Sequence, residues 1–329
     1  MIRKYIVKFL RLPVIRNIIR LSKELCIPGF DGLPLYDVMA FFIKGMQEGR
    51  LNLRASAVAF SFIMAIFPAI IFFFTLIAYI PIDGFQLQLM NILELMLPTK
   101  AYAAVSETIE DIIMRQRGGL LSITVISAMY FSTNGVSALI DSFNTTYHTI
   151  EPRPYVKQRG YALFITLILS LLLVVSVGLL IFGTVGMDYL QQVGVVTSSL
   201  SAFAIHAGRY LIMLALLFLA ISVLYYFGPA KTTKWRFFSA GSSLATVLVV
   251  ISSLGFAFFV DQFETYNKLY GSIGTLVIVM FWMLLISMAL LIGFELNASI
   301  DNAKLREMEE DKRSLNISLE EVIEKGGES

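Results

Sequence analysis

Six stretches of this chain stay apolar for long enough to cross a lipid bilayer: Ala57–Ile80, Leu120–Ile140, Tyr161–Met187, Tyr210–Phe227, Ser239–Val260 and Ile273–Leu296. A helix rising about 1.5 Å per residue needs about 20 residues to pass roughly 30 Å of hydrocarbon. Every run meets that length, the fourth most narrowly. The runs are continuous and do not alternate apolar with polar, which argues against the strands of an outer-membrane barrel. Lipid offers no water to satisfy backbone groups, so each run is expected to close its own hydrogen bonds as a helix. The expected fold is therefore all-α, a polytopic bundle of six transmembrane helices.

Weaker patterns flank the spans. Residues 1–25 interleave Arg3, Lys4, Lys8, Arg11, Arg16, Arg20 and Lys23 with Ile2, Ile6, Phe9, Leu12, Ile15 and Ile19, which fits an amphipathic helix on an anionic leaflet, broken at Pro13. The other reading is a basic extension that serves only as a topology signal; charges interrupt it, so a cleaved leader is not expected. The first outer connection, residues 81–118, places Leu87, Leu89, Ile92, Leu93, Val105, Ile109 and Ile112 at roughly helical spacing around Pro98, predicting two amphipathic helices that act as a lid or as a packing element. After the last span the chain continues helically through Asp301–Arg313, and Ser318-Leu-Glu-Glu has the capping-box form that starts a separate short helix. Three regions follow: a basic amphipathic cytoplasmic segment at 1–50, the transmembrane domain at 51–300 and a charged cytoplasmic tail at 301–329.

Composition agrees, since 57% hydrophobic against 15% charged residues is too apolar for a soluble domain of 329 residues. Net charge is only +2, but its distribution is lopsided. Basic residues crowd the segment before span one, the second connection with Arg153, Lys157 and Arg159, the fourth with Lys231, Lys234 and Arg236, and the tail. The positive-inside rule then places both termini in the cytoplasm, and an even number of spans fits that result by putting both ends on one side. With Cys26 as the single cysteine, an intramolecular disulfide and a thiolate metal cluster are excluded. No metal-ligand spacing, nucleophile elbow or phosphate loop appears, so no catalytic residue, metal or cofactor is assigned.

Polar residues inside the spans carry the candidate chemistry. Asn134 and Asp141 lie seven apart on one face of span two, Asn144 extends that stripe, and Glu295 and Asn297 lie near the end of the last span. Polar groups at such depth usually face the bundle interior. One reading is a polar cavity lined by Asn134, Asp141, Asn144, Glu295 and Asn297 with Arg54 as counter-charge; the other is helix-to-helix bonding that only fixes packing. Arg54, Arg153, Lys157 and Arg159 would collect at the inner surface as contacts for anionic lipid headgroups. Pro68 removes a hydrogen bond from span one and is either a hinge or a static bend.

Three blocks resemble one family: Leu53-Arg-Ala-Ser-Ala through Pro68; Ser132-Thr-Asn-Gly-Val-Ser-Ala-Leu-Ile-Asp through Asn144 with Arg153-Pro-Tyr; and Tyr266-Asn-Lys-Leu-Tyr-Gly-Ser-Ile-Gly274 with Gly293-Phe-Glu-Leu-Asn. Together they are similar to the YihY/BrkB family of bacterial inner-membrane proteins, over about residues 40–300. The resemblance implies six spans with both ends inside and puts Arg54, Pro68, Gly135, Asp141, Asn144, Arg153, Gly271, Glu295 and Asn297 on motif positions. Ala240 stands where the family usually has proline before glycine, which leaves the entry to span five open. Family members have carried a ribonuclease label, a virulence label and suggestions of envelope-lipid export. RNA cleavage would need an acid/base pair or metal cluster on a basic surface, and no nucleic-acid partner is expected. The expectation is a transporter of a lipid or amphiphilic anion in the cytoplasmic membrane, with Pro68, Gly271 and Gly274 as hinges around a Tyr270–Gly274 turn and membrane lipids as partners. The alternative is a non-catalytic envelope scaffold.

Overall fold

The computed structural model describes residues 29–48, 50–77, 118–146, 153–192, 199–230, 237–261 and 264–327, with isolated positions at 25, 79 and between 86 and 112. The expected amphipathic helix of residues 1–25 falls outside the described residues apart from Leu25; in the first outer connection the isolated described positions between 86 and 112 are helical. What is described is all-helical: α1 (Leu35–Glu48), α2 (Leu51–Ile77), α3 (Gly118–Thr146), α4 (Tyr155–Gln192), α5 (Ser199–Phe227), α6 (Ala240–Asp261) and α7 (Glu264–Gly327). The last six each contain a segment long and apolar enough to span a membrane.

Each of these six packs against the next in chain order, and α7 returns to pack on α2, so the spans form a closed ring. Short connections favour such sequential, antiparallel neighbours. Inside the ring Phe143 of α3 stacks on Phe294 of α7 at 4.1 Å, and Tyr225 of α5 meets both rings edge-on at 5.5 Å. Large apolar side chains on the outside, such as Leu53, Phe60, Ile126, Leu171, Leu211, Leu254 and Phe258, are exposed. A surface this apolar is covered by lipid in a membrane protein.

Two close approaches set the tightest contacts. A Cβ at Gly135 would come within 2.8 Å of the Phe62 ring, which locks α3 onto α2. At the α6/α7 crossing a Cβ on Gly241 would strike the Gly293 carbonyl, and one on Gly293 would lie 2.6 Å from the Gly241 carbonyl and 2.7 Å from the Tyr225 hydroxyl. Small residues let helix backbones meet in lipid, where van der Waals packing replaces the hydrophobic drive. That absence of a side chain also admits the Tyr225 hydroxyl, which donates to the Leu290 carbonyl at 2.5 Å and is hydrogen-bonded by the Phe294 backbone, the two groups that helical geometry would pair with each other.

Helix α1 is amphipathic and lies against α7 through a second core of Phe30, Leu33, Val38, Leu296, Ile300 and Ala303. The chain turns into it at Gly29, Asp31 and Gly32, all with positive φ. Part of the expected cytoplasmic segment is thus built into the bundle.

Three details depart from expectation. The helices outrun the apolar runs, α2 starting at Leu51 and α3 ending at Thr146, because Arg54 and Asn144 find partners within the protein and need not end a helix. The Tyr270–Gly274 segment is helical and not a turn, since glycine is tolerated in membrane helices whose surroundings restore order. The tail forms no separate helix at Ser318: between Gly293 and Gly326 there is no glycine or proline, and residues of high helix propensity carry α7 unbroken to Gly327.

The crossing predicts opposite signs for two glycine substitutions. Gly293→Ala should lower the melting temperature in detergent, whereas Gly255→Ala on α6, where an added Cβ meets nothing within 4 Å, should hold or raise it, because helix propensity favours alanine by up to about 1 kcal/mol.

Candidate functional site

The polar residues gather at one end of the bundle, where α2, α4 and α6 begin and α3 and α5 end. Its centre is an ion pair. Arg54, in the second turn of α2, and Glu295 of α7 are both buried, with a guanidinium nitrogen 3.8 Å from the carboxylate. The same arginine donates to the Ser142 carbonyl at 2.5 Å and to the Thr146 hydroxyl at 2.7 Å, both at the end of α3. Thr146 in turn donates to Glu295 at 3.3 Å, so one threonine bridges both charges. Above them α1 comes so near that a Cβ on Gly45 would collide with the Glu295 carboxylate. Three spans and α1 therefore converge on one buried pair.

The other members of the expected cavity are held elsewhere. Asn297 is buried and clasps the start of α6: its side-chain oxygen accepts from the Gly241 N–H at 2.7 Å, and its amide donates to the Ser239 hydroxyl at 2.8 Å. Ser239 is the N-cap of α6, accepting from the Ser242 N–H at 3.1 Å. Ala240 thus occupies the first helical position, where a proline would also fit because the N–H there has no helical partner; this settles the entry to the fifth span. Asn144 accepts from the Ala230 N–H at 2.8 Å. Asp141 is exposed and accepts from Gln158 at 2.6 Å, and Asn134 accepts from Arg159. The structure brings Arg54 and Glu295 together and does not bring Asp141 to them.

The basic residues of the second connection divide similarly. Arg153 donates to the carbonyls of Phe227, Gly228 and Pro229 at 3.3, 3.0 and 2.6 Å, which caps the C-terminal end of α5, where positive charge is favoured. Its guanidinium also lies 4.0 Å from the Tyr161 ring centroid. Burial lowers its pKa from the usual arginine value, and Tyr161 opposes that shift. Arg159 stands 5.1 Å over Tyr130. Lys157 is exposed. Pro68 is half-buried inside α2, Gly274 is buried within α7, and Gly271 lies in the same helix.

Sequence reasoning did not single out Gly45, Thr146, Tyr225 or Ser239. Ser239 carried a usable signal, a serine directly before a helical apolar run; Tyr225, in Tyr225-Tyr226-Phe227, carried none. Many hydroxyls in the described spans bond back to the preceding turn, as Ser61, Thr133 and Thr166 do. Ser222 of α5 and Ser287 of α7 are buried and make no hydrogen bond among the described residues. Each lies three residues outward of a partner in the Tyr225–Leu290 bond, on two helices that run in the same direction, so they share one depth.

Comparison with known proteins accords with the resemblance noted from the motifs. The family described as Virulence factor BrkB matches residues 42–317, and the chain belongs to that family as an integral membrane protein. The chain is similar to the putative ribonuclease-like protein YfkH of Bacillus subtilis (strain 168), 30% identical over 260 residues that cover 79% of this chain and 92% of the relative. It is also similar to a UPF0761 membrane protein of Histophilus somni (strain 129Pt), 23% identical over 294 residues, 86% and 94% of the two chains. No solved structure matches it.

Removing one partner of a buried ion pair strands the other, at a cost of about 3–5 kcal/mol. Arg54→Ala should therefore destabilise the detergent-solubilised protein strongly. Asp141→Asn, exposed and still able to accept from Gln158, should stay within about 0.5 kcal/mol of wild type in the same thermal unfolding assay.

Proposed function

We propose that this member of the Virulence factor BrkB family is a transporter of the bacterial cytoplasmic membrane that moves a lipid or amphiphilic anion across the bilayer, without catalysing a reaction and with both termini in the cytoplasm. The observation that carries the reading is the Arg54–Glu295 pair, two ionisable groups buried inside apolar spans. Intramembrane charges are costly and tend to mark a substrate or ion pathway.

In this reading Glu295 is the resting anion on Arg54, and an incoming anionic headgroup displaces it. A guanidinium binds phosphate or carboxylate oxygens in pairs, so the exchange preserves the charge-assisted bonds. The exposed Lys157, with Arg153 and Arg159 nearby in the sequence, gives that end a positive character that attracts anionic headgroups. Further in, the Ser222 and Ser287 hydroxyls offer polar contacts beyond the Phe143–Tyr225–Phe294 cluster. Pro68 in α2 and Gly271 and Gly274 in α7 are the positions at which the two helices carrying the pair would bend. The ribonuclease-like name belongs to the Bacillus relative; in this chain Glu295 faces a buried arginine, and among the described residues no acid/base pair stands on a basic surface.

A scaffold role is the second reading. It is favoured by Asn144, Arg153 and Asn297, whose polar atoms are bound to backbone or capping groups of neighbouring elements. Neutralising both members of the pair separates the two readings, since a buried ion pair replaced as a unit by apolar residues of similar volume is often near neutral for stability. The Arg54→Met/Glu295→Leu double variant should fold with a melting temperature close to wild type. In proteoliposomes it should move fluorescent phosphatidylglycerol at least about tenfold more slowly, which corresponds to about 1.4 kcal/mol. Undiminished movement with intact folding would remove the pair from the pathway, and wild-type protein that moves neither phosphatidylglycerol nor a neutral phosphatidylcholine probe faster than empty vesicles would favour the scaffold.

A further inference from the structure

Helix α7 does not stop where the bundle stops. It continues to Gly327, about 45 Å past Asn297 at helical rise. Contact with α1 accompanies it as far as Ala303, which is buried, and Lys304, which reaches Asp31 at 3.1 Å. Past that point Leu305 and Met308 are 44% and 49% exposed. By spacing, Leu315, Leu319 and Val322 continue the same stripe, with Lys312 between, in steps of three and four residues. Leu305, Lys312 and Leu319 then occupy the a positions of a heptad, and Met308, Leu315 and Val322 the d positions. A seam of period 3.5 is the signature of a left-handed coiled coil.

We propose that this extension is a self-association surface: two copies of the chain pair their α7 extensions as a short parallel coiled coil beyond the membrane. Copies inserted with the same orientation emerge on the same side, so their extensions are parallel by topology and related by a twofold axis along the membrane normal. Charges at the seam edge suit that arrangement. Lys304 at g stands opposite the partner copy's e position, which is Glu309, and Asp311 at g flanks the partner copy's a position, which is Lys312. A single lysine at an a position fixes register at some cost in stability. The Arg306–Glu310 bond, 2.9 Å long, joins b and f positions on the outer face and leaves the seam open. A coiled coil of about three heptads is marginal by itself, but confinement of both chains to one membrane raises their effective concentration. The basic residues 1–28 of the same chain, in which Glu24 is the one acidic residue, offer Lys312 less counter-charge than the partner copy's Asp311 and Glu309 do.

Single cysteines in a Cys26→Ser background test the proposal in native membranes. Met308→Cys and Leu315→Cys, both at d, should give a disulfide-linked dimer under mild oxidation, and Glu307→Cys at c should not. The Met308→Glu/Leu315→Glu variant, whose changes lie beyond the bundle, should halve the particle mass in nanodiscs while the melting temperature of the membrane domain holds. Linking that is equal at all three positions, or absent from all, would overturn the proposal. So would a monomer whose Met308→Cys thiol reacts freely, which shows an open seam, or one that reacts only after residues 1–28 are deleted, which shows that segment as the occupant.

Discussion

A membrane helix that carries Glu295 and Asn297 at the end of its span has to find each a partner within the protein, because hydrocarbon offers none. The arrangement of the described bundle follows from that constraint. Glu295 draws in Arg54 from the start of α2 and Thr146 from the end of α3, while Asn297 draws in the first turn of α6. One short stretch of α7 thereby fixes the mutual position of four spans. The close approach of Gly241 and Gly293 sits beside it and brings the α6 backbone within reach of the Asn297 side chain. Replacing either glycine would separate the helices and cost the bond as well as the packing.

The same end of the bundle shows how helix termini are completed in this setting. Ends of helices leave backbone donors and acceptors unpaired, and here side chains from sequence-distant elements supply them. Arg153 covers the carbonyls at the end of α5, Asn144 accepts the amide of Ala230 just beyond, and Ser239 with Asn297 covers the amides of α6. The family motifs thus combine two tasks. Asn144, Arg153 and Asn297 join elements to one another, whereas Arg54 and Glu295 place charge inside the spans. Only the second task is hard to account for by packing, since replacing a buried pair by apolar groups is often neutral or stabilising.

The spans were legible because apolar length is a one-dimensional property, whereas Arg54 was legible only as a counter-charge to a cavity holding both Asp141 and Glu295, and it is the packing that selects Glu295. The facing of the polar stripe was less so. Asn134, Asp141 and Asn144 do recur along α3, yet a helix of 3.6 residues per turn rotates such a stripe across neighbours. Asn134 and Asp141 meet α4 through Arg159 and Gln158, whereas Asn144 meets the segment after α5. Periodicity gives a face; only the packing order of the ring gives what that face meets. Tyr225 was illegible for a different reason: its role depends on a gap in α7 at Gly293, a coincidence of two distant positions that neither reveals alone.

Helix α1 adds a consequence for access to the pair. Its Gly45 rests against the Glu295 carboxylate, and its own hold on the bundle is the modest apolar core around Leu33, Val38 and Ile300 together with the Lys304–Asp31 contact, which is partly exposed and therefore weak in water. The chain enters α1 through residues at positive φ and leaves it through Arg50, also at positive φ. A short helix between two such turns, held by that core and that contact, thus lies over the buried charge pair. If an anion reaches Arg54 from the aqueous side, displacement of α1 exposes the pair without breaking the contacts that close the bundle; if it arrives laterally from the lipid, α2 and α7 must part, and the α2/α7 contact has to yield instead.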